Sequence, residues 1–125
     1  TMQTERANSM LEIINIDTGD HIPYAGTSLM GHVTTTYDKL VKTFGMPDLE
    51  PGDKTTCEWH IEFMVYDEDE GEFPMYATIY DYKEDSTPYG EYRWHVGGHS
   101  NVAEELVHDA MYNKLGQDYL GKAEV

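Results

Sequence analysis

The amino-acid sequence predicts an α+β domain, a two-layer sandwich in which an antiparallel meander of three to four strands packs against two helices. Three consecutive segments between residues 57 and 96 alternate apolar and polar side chains and are joined by short turns, as antiparallel strands are. Helical periodicity occurs before and after these segments, so the expected element order is β-α-β-β-β-α. Helices that flank a meander in sequence commonly cover one of its faces.

The first two elements are predicted between residues 26 and 45. Residues 26–34 are compatible with a short strand, and the threonines at 34–36 offer N-caps for a helix. The helix should end at Gly45, because glycine is favoured at a helix C-terminus and Pro47 cannot continue the helix. Its apolar residues recur at the helical spacing i, i+3, i+4 and i+7, namely at Tyr37, Leu40, Val41 and Phe44.

The meander is predicted from residues 57–65, 75–83 and 92–96, with the acidic turn DEDEGE between the first two strands. Alternation places the large apolar side chains of these strands on one face of the sheet. We therefore expect the two helices to pack on the face that carries Trp59, Phe63 and Trp94.

The second helix is predicted to begin near Ser100 or Asn101 and to stop at Gly116. These boundaries define a single domain over residues 26–115. Residues 1–25 are expected to be a polar, partly flexible leader, and residues 116–125 a C-terminal tail.

The charge of the chain restricts its partners. There are 24 Asp and Glu residues against 8 Lys and Arg residues, a formal net charge of −16. Direct binding to nucleic-acid phosphates or to an anionic membrane surface requires a basic face. We therefore expect this protein to bind neither. The 10 Tyr, 2 Trp and 3 Phe residues indicate a folded domain rather than an acidic disordered tail.

Cysteine usage and hydropathy indicate the compartment. Cys57 is the one cysteine, so no disulfide forms within the chain, which is typical of a reducing cytoplasm. No apolar run reaches the ~20 residues of a membrane span, and the first residues lack the pattern of a signal peptide. We expect a cytoplasmic protein.

Four blocks carry a family resemblance: GTSLMGHVTTTYDKLVKTFGMP, GDKTTCEWHIEF, ATIYDYKE and WHVGGHS. In their order and spacing they resemble a family of small uncharacterised proteins of tailed bacteriophages. The resemblance implies a phage gene product that acts in the cytoplasm of a bacterial host. It implies no catalytic residues.

An acidic and aromatic surface is the first candidate site. Alternation places Glu58, His60 and Glu62 on the face opposite the core, beside tyrosines of the next strand. Tyrosine is enriched in binding hot spots, and spaced carboxylates can imitate a nucleic-acid backbone towards a basic groove. An N-terminal segment that packs over the tyrosines is the competing interpretation. The candidate partner-binding residues are Glu58, His60, Glu62, Tyr76, Tyr80, Tyr82 and the hairpin residues Asp67, Glu68, Asp69 and Glu70.

A less acidic region near the third strand is the second candidate site. A Gly-Gly turn before a helix can expose backbone N–H groups to an anion, and basic side chains lie nearby in sequence. A phosphate-bearing small ligand such as a nucleotide would bind there, with an aromatic ring stacked on its base. A tight turn with a helix cap is the simpler interpretation. The candidate ligand-binding residues are Lys83, Arg93, His95, Gly97, Gly98 and His99.

Enzymatic activity ranks last. Metal-assisted chemistry through His60 or through His95 and His99 is conceivable, but the common nucleophile and metalloprotease motifs do not occur. Cys57 falls on the apolar face of its strand and is expected to be a buried small hydrophobe. We assign no catalytic residue, metal or cofactor.

The first-ranked function is therefore a small acidic interaction protein that inhibits or modulates a basic host protein, with DNA charge mimicry as one route. A nucleotide- or phosphate-binding protein is second, and a metal-assisted enzyme third. A homodimer through an edge strand or the tyrosine face stays open.

Overall fold

A computed structural model describes residues 11–48 and 53–120, which form five strands and two α-helices in two layers. A short 3-10 helix, Gly116–Tyr119, follows the second α-helix. The elements in chain order are β1 (Glu12–Thr18), β2 (Ser28–Thr36), α1 (Tyr37–Phe44), β3 (Glu58–Asp67), β4 (Gly71–Tyr80), β5 (Glu91–Gly98) and α2 (Val102–Leu115).

The strands form one antiparallel sheet in the order β1-β3-β4-β5-β2. The predicted meander is its centre, β3-β4-β5, and the two remaining strands pair with the outer sides of that meander. The predicted α+β sandwich is confirmed, with five strands where three to four were expected. Among the described residues, no helix is long and apolar enough to cross a membrane.

Strand β1 lies within residues 1–25, which were expected to be a polar leader. It pairs with β3 from Glu12 to Thr18, so the sheet begins at least fourteen positions before residue 26. A bulge between Ile13 and Asn15 turns Ile14 out to solvent and breaks the apolar alternation that identifies a strand. Residues 1–10 lie outside the described part of the chain.

The core fills the space between the sheet and the helices. The rings of Trp59 and Trp94 meet edge to face with their centroids 5.5 Å apart, and both are buried. The Trp59 indole also donates a 2.8 Å hydrogen bond to the Gly45 carbonyl, which ties the end of α1 to the sheet. The predicted packing of the helices on the Trp59, Phe63 and Trp94 face is confirmed.

Helix α1 begins and ends as its sequence predicts. The Thr36 hydroxyl accepts a hydrogen bond from the Lys39 backbone N–H at 3.3 Å, and Gly45 follows the helix with a φ of 87°. That positive φ favours glycine over any residue with a side chain.

The first residues of the expected C-terminal tail pack against the domain. The Thr35 hydroxyl donates to the Tyr119 carbonyl at 2.6 Å. The Tyr119 hydroxyl lies 2.7 Å from Nδ1 of His108, whose Nε2 lies 3.0 Å from the His32 carbonyl. Because a carbonyl only accepts, Nε2 of His108 is the donor to the His32 carbonyl. Residues 121–125 lie outside the described part of the chain.

The connection between β1 and β2, residues 19–27, crosses the sheet on the face opposite the helices. The crossing is required because these strands occupy the two ends of the strand order. Tyr24 stacks on His60 of β3, and Gly26 lies beside His99 beyond β5. Ile22, in the same connection, is buried but does not belong to the main core cluster. No helix of the described residues packs on this side of the sheet, which we call the helix-free face. The connection covers one band of it.

Candidate functional site

The helix-free face of the sheet carries about half of the predicted site residues. In β3 the side chains of Trp59 and Ile61 are buried in the core, so Glu58, His60 and Glu62 point to the opposite face. The register pairs Glu58 with Tyr80 and Glu62 with Tyr76 on β4, so these tyrosines share that face. The predicted juxtaposition of acidic and tyrosine side chains on neighbouring strands is therefore present.

Strand β1 extends this arrangement beyond what the sequence predicted. Asp17 pairs with Glu62, which in turn pairs with Tyr76, so one row of side chains crosses three strands. A second row nearer the hairpin tip places Tyr66, 40% exposed, between two exposed carboxylates on its neighbouring strands. We call the outward side chains of these two rows the acidic strip, which consists of Glu12, Asp17, Glu62, Tyr66, Glu72 and Tyr76.

The acidic strip contains carboxylates but no strong base. Strands β1, β3 and β4 together have no Lys or Arg residue. Side chains directly opposite each other on antiparallel strands have Cβ atoms ~4.5–5.5 Å apart, a distance at which like charges destabilise a sheet. His21 offsets part of this repulsion, since its Nε2 lies 2.9 Å from Asp17 and that hydrogen bond holds the pKa of Asp17 below its ordinary value. The Asp17–Glu62 pairing therefore places two like charges side by side, with His21 close enough to both to offset part of their repulsion.

The acidic hairpin tip lies at the end of the same strands. The Asp67 carboxylate accepts backbone hydrogen bonds from Asp69 and Glu70 at 2.9 and 3.0 Å, so this side chain stabilises the turn. Glu68, Asp69 and Glu70 are exposed. Of the four predicted tip residues, three present their side chains to solvent and one holds the turn in shape.

His60 differs from the solvated residue that alternation suggested, because it is only 4% exposed. Tyr24 stacks on its ring with a centroid separation of 4.2 Å. Its Nε2 lies 2.9 Å from a Glu58 carboxylate oxygen and its Nδ1 lies 2.9 Å from Oδ2 of Asp48. The crossing connection thus packs on His60 through Tyr24, whereas the competing interpretation placed an N-terminal segment over the tyrosines, of which Tyr76 stays partly exposed.

A cavity of about 190 Å³ opens beside the His60 ring and is lined by Asp20, Tyr24, Asp48 and His60. Burial raises the pKa of the Asp48 carboxyl, His60 opposes that rise, and the carboxylate of Asp20 adds to it. Sequence reasoning missed this cavity because Asp48 follows α1 while Tyr24 lies in the crossing connection, so no sequence motif joins them.

The other two predicted tyrosines belong to an aromatic cluster around His95. Tyr80 stacks on the His95 ring with centroids 5.3 Å apart, and Tyr82 lies 5.8 Å away at an inclined angle. Tyr82 follows the end of β4 rather than lying in the strand. His32, opposite His95 on β2, completes the cluster with a centroid separation of 5.1 Å.

The predicted ligand-binding residues are only partly brought together. Arg93 and His95 are two residues apart on β5, so both side chains point to the helix-free face. Lys83 follows β4 with a φ of 59° and places its ammonium 5.3 Å from the centre of the Tyr82 ring. His99 lies beyond the end of β5, where it borders an apolar cavity of about 340 Å³ between β4 and the start of α2. The basic side chains therefore do not surround one common pocket.

Gly97 and Gly98 lie within β5 rather than in a turn. Neither has a positive φ, so they do not form the concave run of N–H groups that binds anions. A Cβ atom at Gly97 would lie 2.5 Å from Oγ1 of Thr78, and one at Gly98 would lie 2.4 Å from Cβ of Ala103. The two glycines allow close packing of neighbouring elements.

Reactive chemistry has few candidates in the described residues. Cys57 is buried, and burial together with the neighbouring Asp81 raises the pKa of its thiol to about 11. Within residues 11–48 and 53–120, no three His, Cys, Asp or Glu side chains form a group that could hold a metal ion.

No protein-family model, curated protein or solved structure matches this chain.

Proposed function

We propose that this protein is a non-catalytic binding protein whose acidic strip engages the basic surface of another protein and thereby inhibits or modulates it. The observation that carries the proposal is the direct pairing of Asp17 with Glu62 on the helix-free face, in a row that ends at Tyr76. Like charges at paired positions repel each other, and His21 offsets only part of that repulsion. A partner that brings positive charge to this row would relieve the rest of the repulsion on binding, which favours a basic surface as the ligand.

The composition of the strip suits a protein interface. Its tyrosines provide large contact areas with few rotatable bonds, which is why tyrosine is common in binding hot spots. Its carboxylates, together with the net charge of −16, would accelerate encounter with a basic partner and make binding sensitive to salt. The exposed acids at the hairpin tip extend the negative region along the same two strands.

The proposal includes charge mimicry of DNA as its more specific form. In that form the strip occupies a groove of the partner that otherwise holds a nucleic-acid backbone, and DNA competes for the same site. The resemblance to small bacteriophage proteins directs the search to a bacterial host protein.

The test begins with immobilised protein, a bacterial lysate and low salt, followed by measured binding of each captured basic protein in purified form. We expect the affinity to fall steeply as salt rises and DNA to compete. The double variant Glu62→Gln/Glu72→Gln should weaken binding by about tenfold or more, because it removes two strip carboxylates. The control Asp38→Asn/Asp118→Asn removes the same charge from exposed residues of α1 and the 3-10 helix.

Two results would overturn the proposal. One is the absence of any basic protein that binds directly at low salt. The other is an equal loss of affinity in the two double variants, because that would show a response to overall charge rather than to the strip.

A second candidate function is favoured by the grouping of Arg93, His95 and His32 at the opposite side of the same face. These residues could hold a phosphate, and the exposed Tyr82 ring near His95 could stack on a nucleotide base. A thermal-shift screen with nucleotides checks this function. A rise in melting temperature that Arg93→Gln abolishes would support it, and no shift across the panel would reject it.

A further inference from the structure

The cavity beside His60, which we call the Tyr24 pocket, combines a buried polar floor with an open mouth. His60 forms the floor together with Asp48, whose side chain is 7% exposed. At the mouth, Asp20 is exposed and Tyr24 is 50% exposed. The volume of about 190 Å³ is well above the ~10–15 Å³ that one water molecule needs. A small polar group can therefore enter from solvent and reach buried acceptor atoms.

The floor of the pocket holds polar atoms without hydrogen bonds. Oδ2 of Asp48 and Nδ1 of His60 are 2.9 Å apart, yet neither has a hydrogen bond of acceptable geometry within the described residues. A buried carboxylate oxygen in this condition loses the solvation that it would have in water. It would gain most from a ligand that donates hydrogen bonds and carries positive charge.

The charges around the pocket favour a cation. Three carboxylates raise the negative potential there: Asp48 and Glu58 contact the His60 ring, and Asp20 lines the pocket. Each nitrogen of His60 already faces one carboxylate oxygen, at 2.9 Å on either side of the ring. Burial is the main cause of the raised pKa of Asp48, and the nearby carboxylates of Asp20 and Glu58 raise it further.

We infer that the Tyr24 pocket binds the guanidinium group of an arginine side chain, and the proposed function supplies that side chain from the basic partner. A guanidinium is planar, carries several N–H donors and stacks on aromatic rings, so it can donate to Asp48 and Asp20 while lying beside Tyr24. An ammonium group offers the same charge without the planar donor arrangement. The pocket adjoins the acidic strip through β3, where His60 and Glu62 are two residues apart on one face.

The experiment is a titration of the full chain with ethylguanidinium chloride, followed through the NMR signals of the His60 ring at constant ionic strength. We expect saturable shifts at His60, and weaker binding of n-butylammonium by about tenfold, because an ammonium group lacks the planar donor fork and the stacking face of a guanidinium. Asp48→Asn should weaken ethylguanidinium binding by about tenfold, and Asp20→Asn by a smaller factor because Asp20 is exposed.

The variants are arranged so that a folding defect does not hide the result. Asp20→Asn changes an exposed side chain and should fold normally. If Asp48→Asn does not fold, Asp20→Asn alone tests whether the pocket carboxylates bind ethylguanidinium. Asp38→Asn makes the same charge change on α1, in the helix layer, and should leave ethylguanidinium binding unchanged. Equal binding of the two cations, or an equal effect of Asp20→Asn and Asp38→Asn, would overturn the inference.

This inference and the proposed function fail in different ways. If ethylguanidinium binds at His60 but no basic protein binds to the chain, the pocket is a guanidinium site and the proposed function is wrong. If a basic protein binds and Asp48→Asn leaves its affinity unchanged, the proposed function stands and the pocket does not take the partner's arginine.

Discussion

Gly98 in β5 lies so close to Ala103 in α2 that a Cβ atom at Gly98 would stand 2.4 Å from the Ala103 Cβ. Real Cβ atoms do not approach each other to that distance, so the contact depends on the missing side chain. It brings the first turn of α2 directly onto the end of β5. The pair therefore fixes how closely the helix layer approaches the sheet at this end of the domain.

The Gly98→Ala substitution should destabilise the fold by about 1–3 kcal/mol, the usual cost of forcing an extra methyl group into a packed core. Gly90→Ala is the matched control, because nothing lies within 4 Å of its added Cβ and its φ is not positive. Urea denaturation measures both variants. A Gly98→Ala protein as stable as the Gly90→Ala protein would show that α2 moves aside without cost.

The regular parts of the fold could be predicted because each carries its own periodic signal. Trp59, Ile61 and Phe63 alternate with polar residues in β3, and Tyr37 begins a helical stripe in α1. In β1 the bulge at Ile14 shifts the alternation by one residue, so the apolar residues no longer fall on one face in a simple pattern. Its pairing with β3 depends on contacts with residues about fifty positions away, which local patterns do not encode.

Only the part of the candidate site that lies on the β3–β4 hairpin could be predicted from the sequence. The β3–β4 register follows from a short turn, so the sequence pointed to Glu62 beside Tyr76. The partner of Glu62 on the other side, Asp17, depended on recognising β1. The burial of His60 depended on the path of the crossing connection, which brings Tyr24 over the sheet. These features arise from topology rather than from spacing along the chain.

Replacement of Asp81 should destabilise the fold, although its position between two tyrosines in the sequence indicates no such role. It is fully buried, and its carboxylate accepts hydrogen bonds from the Thr56 backbone and hydroxyl at 2.7 and 2.6 Å and from the Cys57 backbone at 3.3 Å. Asp81→Ala leaves these buried donors without an acceptor, so we expect a loss of about 2–4 kcal/mol in unfolding free energy.

Asp85→Ala provides the comparison for this prediction, since Asp85 is an exposed acid in the same connection between β4 and β5. Its substitution should change stability by no more than about 0.5 kcal/mol. Urea denaturation followed by tryptophan fluorescence compares the two. If both variants lose the same small amount, the Asp81 hydrogen bonds do not stabilise the loop before β3.

The Cys57 thiol should resist alkylation in the native protein. Burial, with a smaller contribution from Asp81, raises the pKa of this thiol to about 11, so at pH 8 roughly one molecule in a thousand carries the reactive thiolate. Iodoacetamide at pH 8 should therefore label the chain slowly when folded and rapidly in guanidinium chloride. Because Cys57 is the one cysteine, the mass of the intact chain reports the reaction directly. Rapid labelling without denaturant would contradict the prediction.

His32 should titrate below the ordinary histidine range. Partial burial lowers the pKa of its imidazole, and the nearby Arg93 and His95 lower it further. NMR titration should give a midpoint for His32 below the unperturbed value of ~6.5. Arg93→Gln should raise that midpoint, while Lys42→Gln, which removes an exposed cation on α1, should not move it. A midpoint above 6.5 would contradict the prediction.

The lowered pKa of His32 also sets the sign of a pH effect on stability. The folded protein binds a proton at His32 less readily than the unfolded chain, so unfolding takes up a proton between the two pKa values. The contribution of His32 to stability is present above a pH of ~6.5 and is lost as the pH falls towards the folded pKa. His32→Gln should therefore lose less stability than the parent chain between pH 7 and pH 5 in urea denaturation. An equal or steeper loss in the variant would show that His32 is not a source of acid sensitivity in this fold.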